Sequence, residues 1–260
     1  MLDILYLDDH LVAINKPSGL LVHRSEIDRH ETRFVLQLLR NQLGQRVYPV
    51  HRLDKPTSGV LVFALSSEMA SMIADQWRER AIDKRYLAIV RGYMPEFVHL
   101  DYAMSPPIDK YAKQEVIKPA QEAITDFSLL ATVEMDVEID KYPQSRYSLV
   151  EAMPKTGRKH QIRRHLKHLS HPIIGDARYG KGRHSRYFRD HFDAGRLLLH
   201  AWQLSMTHPV TGQPLVFTAP LDDIWLSLVK RFQWQQQLPG LLSETLPGTR
   251  HEAPSTLAQQ

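Results

Sequence analysis

Residues 51–65 read HRLDKPTSGVLVFAL, a loop of charged and hydroxyl side chains that runs directly into an apolar segment. Pro56 and Gly59 favour irregular backbone before that segment. Residues 59–65 are rich in β-branched and other large apolar side chains, which predicts a buried strand. Asp54 is therefore expected at the mouth of a β-sheet, where a carboxylate can act as acid, base or nucleophile. The alternative interpretation is an Arg–Asp ion pair that only braces the turn.

The sequence on both sides of this loop alternates between strand and helix patterns in groups, without regular β-α-β order. This grouping predicts an α+β domain around a largely antiparallel, mixed sheet flanked by helices and loops. The predicted strands are residues 4–7, 11–15, 59–65, 84–91, 122–134, 145–152 and 197–208. The predicted helices are residues 33–43, 66–79, 158–169, 185–193 and 221–234. We expect a single domain over residues 1–237, an exposed loop near 101–121 and a loose tail over 238–260.

The composition limits the class of protein. With 43% hydrophobic and 24% charged residues, the 260-residue chain can bury a substantial core. The absence of cysteine excludes disulfides, thiolate metal sites and cysteine nucleophiles. No stretch approaches the roughly 20 apolar residues of a membrane span. The first residues, MLDILYLDD, are acidic where a signal peptide is basic, so a cytoplasmic protein is expected.

Positive charge is concentrated in one block. Residues 155–196 contain 12 Lys/Arg and 3 Asp, whereas the rest of the chain contains 21 Lys/Arg and 26 Asp/Glu. Such a block is typical of a protein that binds a polyanion. Its first part, KTGRKHQIRRHLKHL, predicts a basic helix whose start offers free amide donors to phosphate. The side chains expected on an RNA backbone are Arg158, Lys159, Arg164 and Lys167. The alternative is a solvated basic face without a partner.

Two further residues are candidates for the site. Arg163 follows the apolar Ile162, so its guanidinium is expected to point inward toward a carboxylate and keep it ionised. Tyr86 lies in the run Lys84-Arg85-Tyr86 at the start of a predicted strand. It is either a core aromatic or a platform on which a displaced base stacks.

A metal site is not predicted. His165 and His168 are three residues apart on the basic helix, a spacing at which both can bind one metal ion. No acid lies within that helix, however, and its Lys/Arg side chains repel a divalent cation. A glycine-rich phosphate loop of the nucleotide-binding type is also missing from the sequence.

The ordered motifs resemble those of the RluA-type pseudouridine synthases. The resemblance rests on HRLDxxTSG (51–59), KRY (84–86) and GRKHQIRRH (157–165), with support from NKPSG (15–19), HPIIGD (171–176) and HPVTG (208–212). Within that family, the stretches NKPSGLLVHRSEIDR and ATVEMDVEIDKYPQSRYSLVEAMPKTGRKHQIRRHL are similar to the TruC branch, which modifies uridine 65 of tRNA. The resemblance covers about residues 4–235.

The resemblance implies a pseudouridine synthase fold and an isomerase that converts uridine to pseudouridine in tRNA. It implies Asp54 as the catalytic carboxylate, Arg52 as the side chain that helps displace the target base, Tyr86 as the residue that packs on the flipped uracil, and Arg163 as the partner of the carboxylate. No cofactor or metal is expected, because the reaction has no redox step. The expected partner is tRNA, and a monomer is expected. Two alternatives remain: the same chemistry on a ribosomal RNA stem-loop, and an RNA-binding module without catalysis.

Overall fold

Ten strands among the described residues pair into one sheet. The structure is a computed structural model that describes residues 1–23, 32–106 and 119–238. The strands are β1 (Asp3–Leu7), β2 (Leu11–Lys16), β3 (Tyr48–Pro49), β4 (Ser58–Ala64), β5 (Asp83–Arg91), β6 (Phe97–Asp101), β7 (Ile124–Met135), β8 (Ser145–Pro154), β9 (Leu199–Thr207) and β10 (Pro214–Thr218). The helices are α1 (Val35–Leu43), α2 (Ser67–Arg78), α3 (Gln161–His168), α4 (Gly182–Phe192) and α5 (Asp223–Arg231), followed by a short 3-10 turn, Gln235–Gln237.

The strand order is β1-β2-β4-β9-β5-β8-β7-β6, with β10 beside β9 and β3 beside β4. Every pair is antiparallel except β4 and β9, which pair in parallel through Ser58 with His200 and Gly59 with Ala201. The prediction of an α+β fold around a largely antiparallel mixed sheet is confirmed. The parallel contact joins the half of the sheet that contains the N-terminal hairpin to the half that contains β5, β7 and β8.

Local signals placed most elements correctly. Helix α1 ends at Gly44, whose left-handed backbone (φ 69°) closes the helix. Helix α2 begins after Ser66, whose hydroxyl accepts a hydrogen bond from the Met69 N–H. Helix α3 is shorter than predicted, because His160 adopts the left-handed region (φ 57°) and the helix starts at Gln161. Arg158 and Lys159 therefore lie in the turn before the helix.

Strand β6 was not predicted. It is an edge strand that pairs with β7, and its residues alternate between exposed and half-buried along the five positions. Leu238, the first residue of the predicted tail, is buried in the largest core cluster of the described residues, with 3% of its surface exposed. The remaining predicted tail, 239–260, and most of the predicted loop, 107–118, lie outside the described residues. In the described part of the chain, no helix is long and apolar enough to cross a membrane.

The core explains why the basic helix is anchored. On α3, Ile162 and Leu166 are buried in the same cluster as the central residues of β5 and β8, as the apolar spacing predicts. Trp225 of α5 and the nearby Trp234 are also among the fully buried side chains of this cluster. Burial of this face leaves the other side of α3 to solvent and holds the start of the helix against the sheet.

We expect Gly59→Ala to disrupt the pairing of β4 with β9, where the two halves of the sheet join. Gly59 has φ +111°, and a Cβ atom placed on its backbone would lie 2.1 Å from the carbonyl oxygen of Ala201. Both the backbone conformation and the close approach to β9 oppose any side chain. The expected loss in the free energy of unfolding is about 3 kcal/mol or more, measured by urea denaturation.

Gly182→Ala is the matched control for this prediction. Gly182 is the first residue of α4, and a Cβ atom at this position would lie 3.5 Å from the nearest neighbour, an Arg186 side-chain nitrogen. The change should leave stability equal or slightly higher, because alanine favours helix. Equal urea midpoints for the two variants would contradict the role assigned to Gly59.

Candidate active site

The loop between β3 and β4 places the Asp54 carboxylate at the end of a strand whose seven residues are all buried. The Thr57 N–H donates to the Asp54 carbonyl oxygen at 3.0 Å, which closes the turn. Leu53 packs into the core beneath the loop. The His51 side chain also faces inward, and its Nε2 accepts a hydrogen bond from the Val62 N–H of β4 at 2.9 Å. The backbone on each side of Asp54 is thus held, while its side chain remains half-buried.

The NKPSG segment braces this loop from the neighbouring strand. Lys16 is fully buried at the end of β2, and its ammonium donates to three carbonyl oxygens at 2.8–3.1 Å, one of them that of Lys55. Gly19 N–H also donates to the Lys55 carbonyl, and the Ser18 hydroxyl donates to that of Pro56. Burial lowers the pKa of Lys16 to about 7, which the nearby Asp54 charge partly opposes. These bonds join the NKPSG segment to the HRLD loop, although the two motifs are separated in the sequence.

Arg163 joins two carboxylates. Its Nη1 donates to Asp54 Oδ2 at 2.9 Å, while Nε and Nη2 donate to the two oxygens of Asp176 at 2.8 and 2.9 Å. Asp176 Oδ1 also accepts the backbone N–H groups of Arg178 and Tyr179. The inward orientation predicted for Arg163 is confirmed, and Asp54 has Arg163 as an ion-pair partner. A fork held in this bidentate manner has a fixed direction.

The surroundings of Arg163 and Asp176 favour the charged form of each side chain. Burial alone would raise the pKa of the Asp176 carboxyl, but hydrogen bonds from Arg163 and from the backbone hold it below its usual range. Burial opposes the charge on Arg163, yet its two carboxylate partners raise the pKa of the guanidinium. A permanent cation therefore lies 2.9 Å from Asp54 Oδ2.

His160 and Asp176 were not predicted as site residues. The His160 Nε2 atom lies 3.7 Å from Asp54 Oδ1, and its Nδ1 atom lies 3.1 Å from the Tyr179 hydroxyl oxygen. Burial lowers the pKa of His160 to about 4, while Asp54 raises it and Arg163 lowers it, so the imidazole is neutral near pH 7. A signal for Asp176 existed in the sequence, because it is one of three acids in the basic block.

A cavity of about 310 Å³ brings the candidate residues together. Six of the predicted site residues line it: Arg52, Asp54, Tyr86, Arg158, Lys159 and Arg163. Its apolar walls are formed by Val50, Leu53, Ile162 and Leu199. Tyr86 is the fourth residue of β5 and not its first, and burial together with the Asp54 charge raises the pKa of its hydroxyl. A cavity of this size, in which apolar walls meet convergent polar groups, is typical of a small-ligand site.

The residues predicted to contact an RNA backbone divide into two pairs. Lys159 and Lys167 are exposed. Arg158 donates to the Glu122 carbonyl oxygen at 2.9 Å, and Arg164 donates to that of Ser105 at 3.0 Å. Each of these guanidiniums is partly held by a neighbouring loop, whereas the two lysines are exposed to solvent and Lys159 also lines the cavity.

The two histidines considered as metal ligands have other contacts. His165 is buried between the Thr125 hydroxyl and the Tyr102 carbonyl oxygen. His168 stacks on the Tyr102 ring at a centroid distance of 3.8 Å. Across the part of the chain that the structure describes, no three His, Asp or Glu side chains are grouped as a metal site.

The sequence matches the family described as RNA pseudouridylate synthase over residues 10–168. This region contains Asp54, Tyr86 and Arg163, three residues that line the cavity. The chain belongs to this family. Among its relatives, "tRNA pseudouridine synthase C" of Vibrio parahaemolyticus is 53% identical over 241 residues, covering 91% of this chain and 97% of the relative. The protein of the same name from Salmonella typhi is 51% identical over 243 residues, covering 92% and 93%.

The fold agrees with solved structures of the family. "Human RNA Pseudouridylate Synthase Domain Containing 4" is 28% identical and superposes with a TM-score of 0.66, covering 89% of this chain and 93% of that one. "Human RNA Pseudouridylate Synthase Domain Containing 1" is 25% identical with a TM-score of 0.65, covering 85% and 84%. The predicted pseudouridine synthase fold is confirmed, and the protein is an isomerase of this family.

Proposed function

We propose that the protein isomerises uridine 65 in the T-stem region of tRNA, with Asp54 as the catalytic carboxylate. The observation that carries this proposal is the Arg163–Asp54 ion pair at the wall of a cavity that the exposed Lys159 also lines. The substrate follows from the relatives named as tRNA pseudouridine synthases, which match this chain over nearly its whole length. The exposed lysines supply the charge that a folded RNA requires.

The residues act on an extruded nucleotide. A uridine reaches the cavity only after leaving its stack, and Arg52 at the exposed rim assists that step. Tyr86 then packs against the uracil ring, its hydroxyl kept protonated by burial and by the Asp54 charge. Stacking of this kind is sequence-tolerant, so polar contacts elsewhere in the cavity select the base.

Asp54 starts the chemistry at the ribose. The N1–C1′ bond breaks, the detached uracil rotates within the apolar walls, and a C5–C1′ bond forms. The C5 proton then leaves and N1 takes up a proton, so the product is an isomer of the substrate and no electrons are gained or lost. Arg163 donates to Asp54 and fixes its direction, and the neutral His160 lies on the other side of the carboxylate. This sequence of steps needs no cofactor or metal. We further propose a monomer that works in the cytoplasm and forms a single domain over about residues 1–238.

The proposal is tested with tRNA that carries tritium at C5 of its uridines. The wild-type protein should release one equivalent of tritium per tRNA, and a transcript with cytidine at position 65 should release none. Release from a ribosomal stem-loop, with tRNA inert, would replace the substrate. Binding of tRNA with no release from either RNA would favour a module without catalysis.

We expect that replacing Lys159 and Lys167 with Ala weakens tRNA binding without changing kcat. Each lysine that contacts a phosphate releases a counterion, so the slope of log affinity against log salt should fall by about one for each residue removed. The measurement is tRNA affinity between low and moderate salt. Lys230→Ala, an exposed lysine on α5, is the control and should keep the wild-type slope. An unchanged slope in the double variant would mean that RNA docks on another face.

A further inference from the structure

A second cavity of about 450 Å³ lies at the opposite end of α3 from Asp54. Its walls come from the end of β5 and the following turn, from the connection between β7 and β8, and from Ser170 just after α3. A helix rises about 1.5 Å per residue, so Ser170 lies roughly 15 Å along the chain from His160, which lines the first cavity. One folded RNA can therefore reach both cavities.

The floor of this cavity holds an arginine in a fixed orientation. The Arg91 Nε atom donates to His184 Nε2 at 3.1 Å, and His184 Nδ1 lies 2.7 Å from the Tyr147 hydroxyl oxygen. Tyr147 is fully buried and His184 is 3% exposed. Burial, and then the Arg91 charge, lower the pKa of His184 to about 4, so its neutral ring accepts from Arg91 and donates to Tyr147. The terminal nitrogens of Arg91 are thereby directed at the cavity.

Two tyrosines stand at the cavity with much of their surface in solvent. Tyr93 is 43% exposed and Tyr142 is 63% exposed. The Arg146 guanidinium lies 5.2 Å from the centroid of the Tyr93 ring, and Glu134 accepts a hydrogen bond from its Nε atom at 2.6 Å. Exposed aromatic rings beside guanidiniums form the stacking surface that unpaired nucleotides bind.

The charge around the cavity favours an anion. Among the residues that line it, Arg91 and Arg146 are cations and Asp140 is the one carboxylate. Asp140 is itself shared, since its Oδ1 atom accepts from Arg183 at 3.2 Å and its Oδ2 atom lies 4.0 Å from Arg91 Nη2. The lining thus has one more cation than carboxylates, which favours an anionic group such as phosphate.

We propose that this cavity is a second nucleotide-binding site, which holds an unpaired nucleotide of the same RNA whose uridine enters the first cavity. The base stacks on Tyr142 or Tyr93, and its phosphate contacts Arg91. The proposal rests on the proposed function, because it takes RNA as the substrate. In this proposal, the β7–β8 connection helps the protein to select among RNAs whose target uridine is equally accessible.

The test compares Tyr142→Ala with wild type on two RNAs, a whole tRNA and a minimal stem-loop around the target uridine. Tyr142 is exposed, so its loss should not disturb folding. We expect the Kd for tRNA to rise about tenfold, with kcat unchanged and with no effect on the stem-loop, which is too short to reach the second cavity. Tyr142→Trp should restore tRNA affinity, because it restores a stacking surface.

Arg46→Ala is the matched control for Arg146→Ala. Each is an exposed arginine over a tyrosine ring, with Arg46 at 4.9 Å from the Tyr48 centroid at the start of β3. Arg146→Ala should weaken tRNA binding and Arg46→Ala should not. Unchanged tRNA affinity in Tyr142→Ala, or an equal loss on both RNAs, would overturn the second site.

The two proposals fail separately in these measurements. Affinity is measured by direct binding and turnover by tritium release. A variant effect on tRNA affinity without wild-type tritium release would preserve the second site and remove the proposed function. Normal tritium release by the wild type, with no change of tRNA affinity in the variants, would preserve the proposed function and remove the second site.

Discussion

Asp54→Asn is expected to abolish tritium release while leaving tRNA affinity within about twofold of wild type. The amide has the shape of the carboxylate and can still accept the Arg163 hydrogen bond, but it is neither a base nor an anionic nucleophile. The substitution leaves the exposed cations Lys159 and Lys167 in place, so phosphate contacts should persist. Loss of a reacting group of this kind lowers turnover by at least about 10⁴-fold, measured in single-turnover experiments.

Asp9→Asn provides the control for Asp54, because Asp9 is exposed in the turn between β1 and β2. This variant should release tritium at the wild-type rate. If Asp54→Asn retained a rate within tenfold of wild type, Asp54 would not be the reacting group. An RNA-binding module in which Asp54 only braces Arg163 predicts no release from either protein.

Asp176→Asn should lower the free energy of unfolding by about 3–5 kcal/mol, the usual result of removing one member of a buried ion pair. The Asp176 side chain is 1% exposed and both of its oxygens accept from Arg163. An amide has one acceptor, and its NH₂ group would face a guanidinium nitrogen. Arg163 would then be held by Asp54 alone, so turnover should fall as well, with tRNA affinity little changed.

The pH dependence distinguishes this ion pair from packing. The pKa of Asp176 is held below its unfolded value, so its contribution to stability is complete above about pH 4 and is lost as the pH falls through the folded pKa. The difference in stability between wild type and Asp176→Asn should therefore be constant from about pH 5 to 8 and shrink below pH 4. Urea denaturation at each pH measures it.

Asp190→Asn is the control for this second prediction. Asp190 accepts from Arg189 at 2.8 Å on the surface of α4, where both side chains are about half exposed. Solvent screens such a pair, so stability and turnover should match wild type. Equal stability of Asp176→Asn and Asp190→Asn would show that Asp176 does not hold Arg163 in place.

Local rules accounted for most of the fold. The Ser66 cap, the Gly44 stop and the apolar spacing of Ile162 and Leu166 all act within a few residues, so the pattern of side chains predicts them directly. Strand β6 was missed because an edge strand buries half of its residues and carries a weak apolar pattern. The extra turn predicted for α3 is interrupted at His160, which has a left-handed backbone and contacts Tyr179 and Asp54.

The sequence by itself determined that a carboxylate loop precedes a buried strand, that a basic block follows and that the ordered motifs are those of pseudouridine synthases. Only the tertiary structure decided which groups meet. Asp54 and Arg163 are 109 residues apart, and the order of strands in the sheet brings them to 2.9 Å. Asp176 as the anchor of Arg163, and the second cavity around Arg91, likewise depend on contacts between distant segments. Apolar periodicity and helix capping depend on residues that are close in the sequence. An ion pair between distant segments depends on how the whole chain packs.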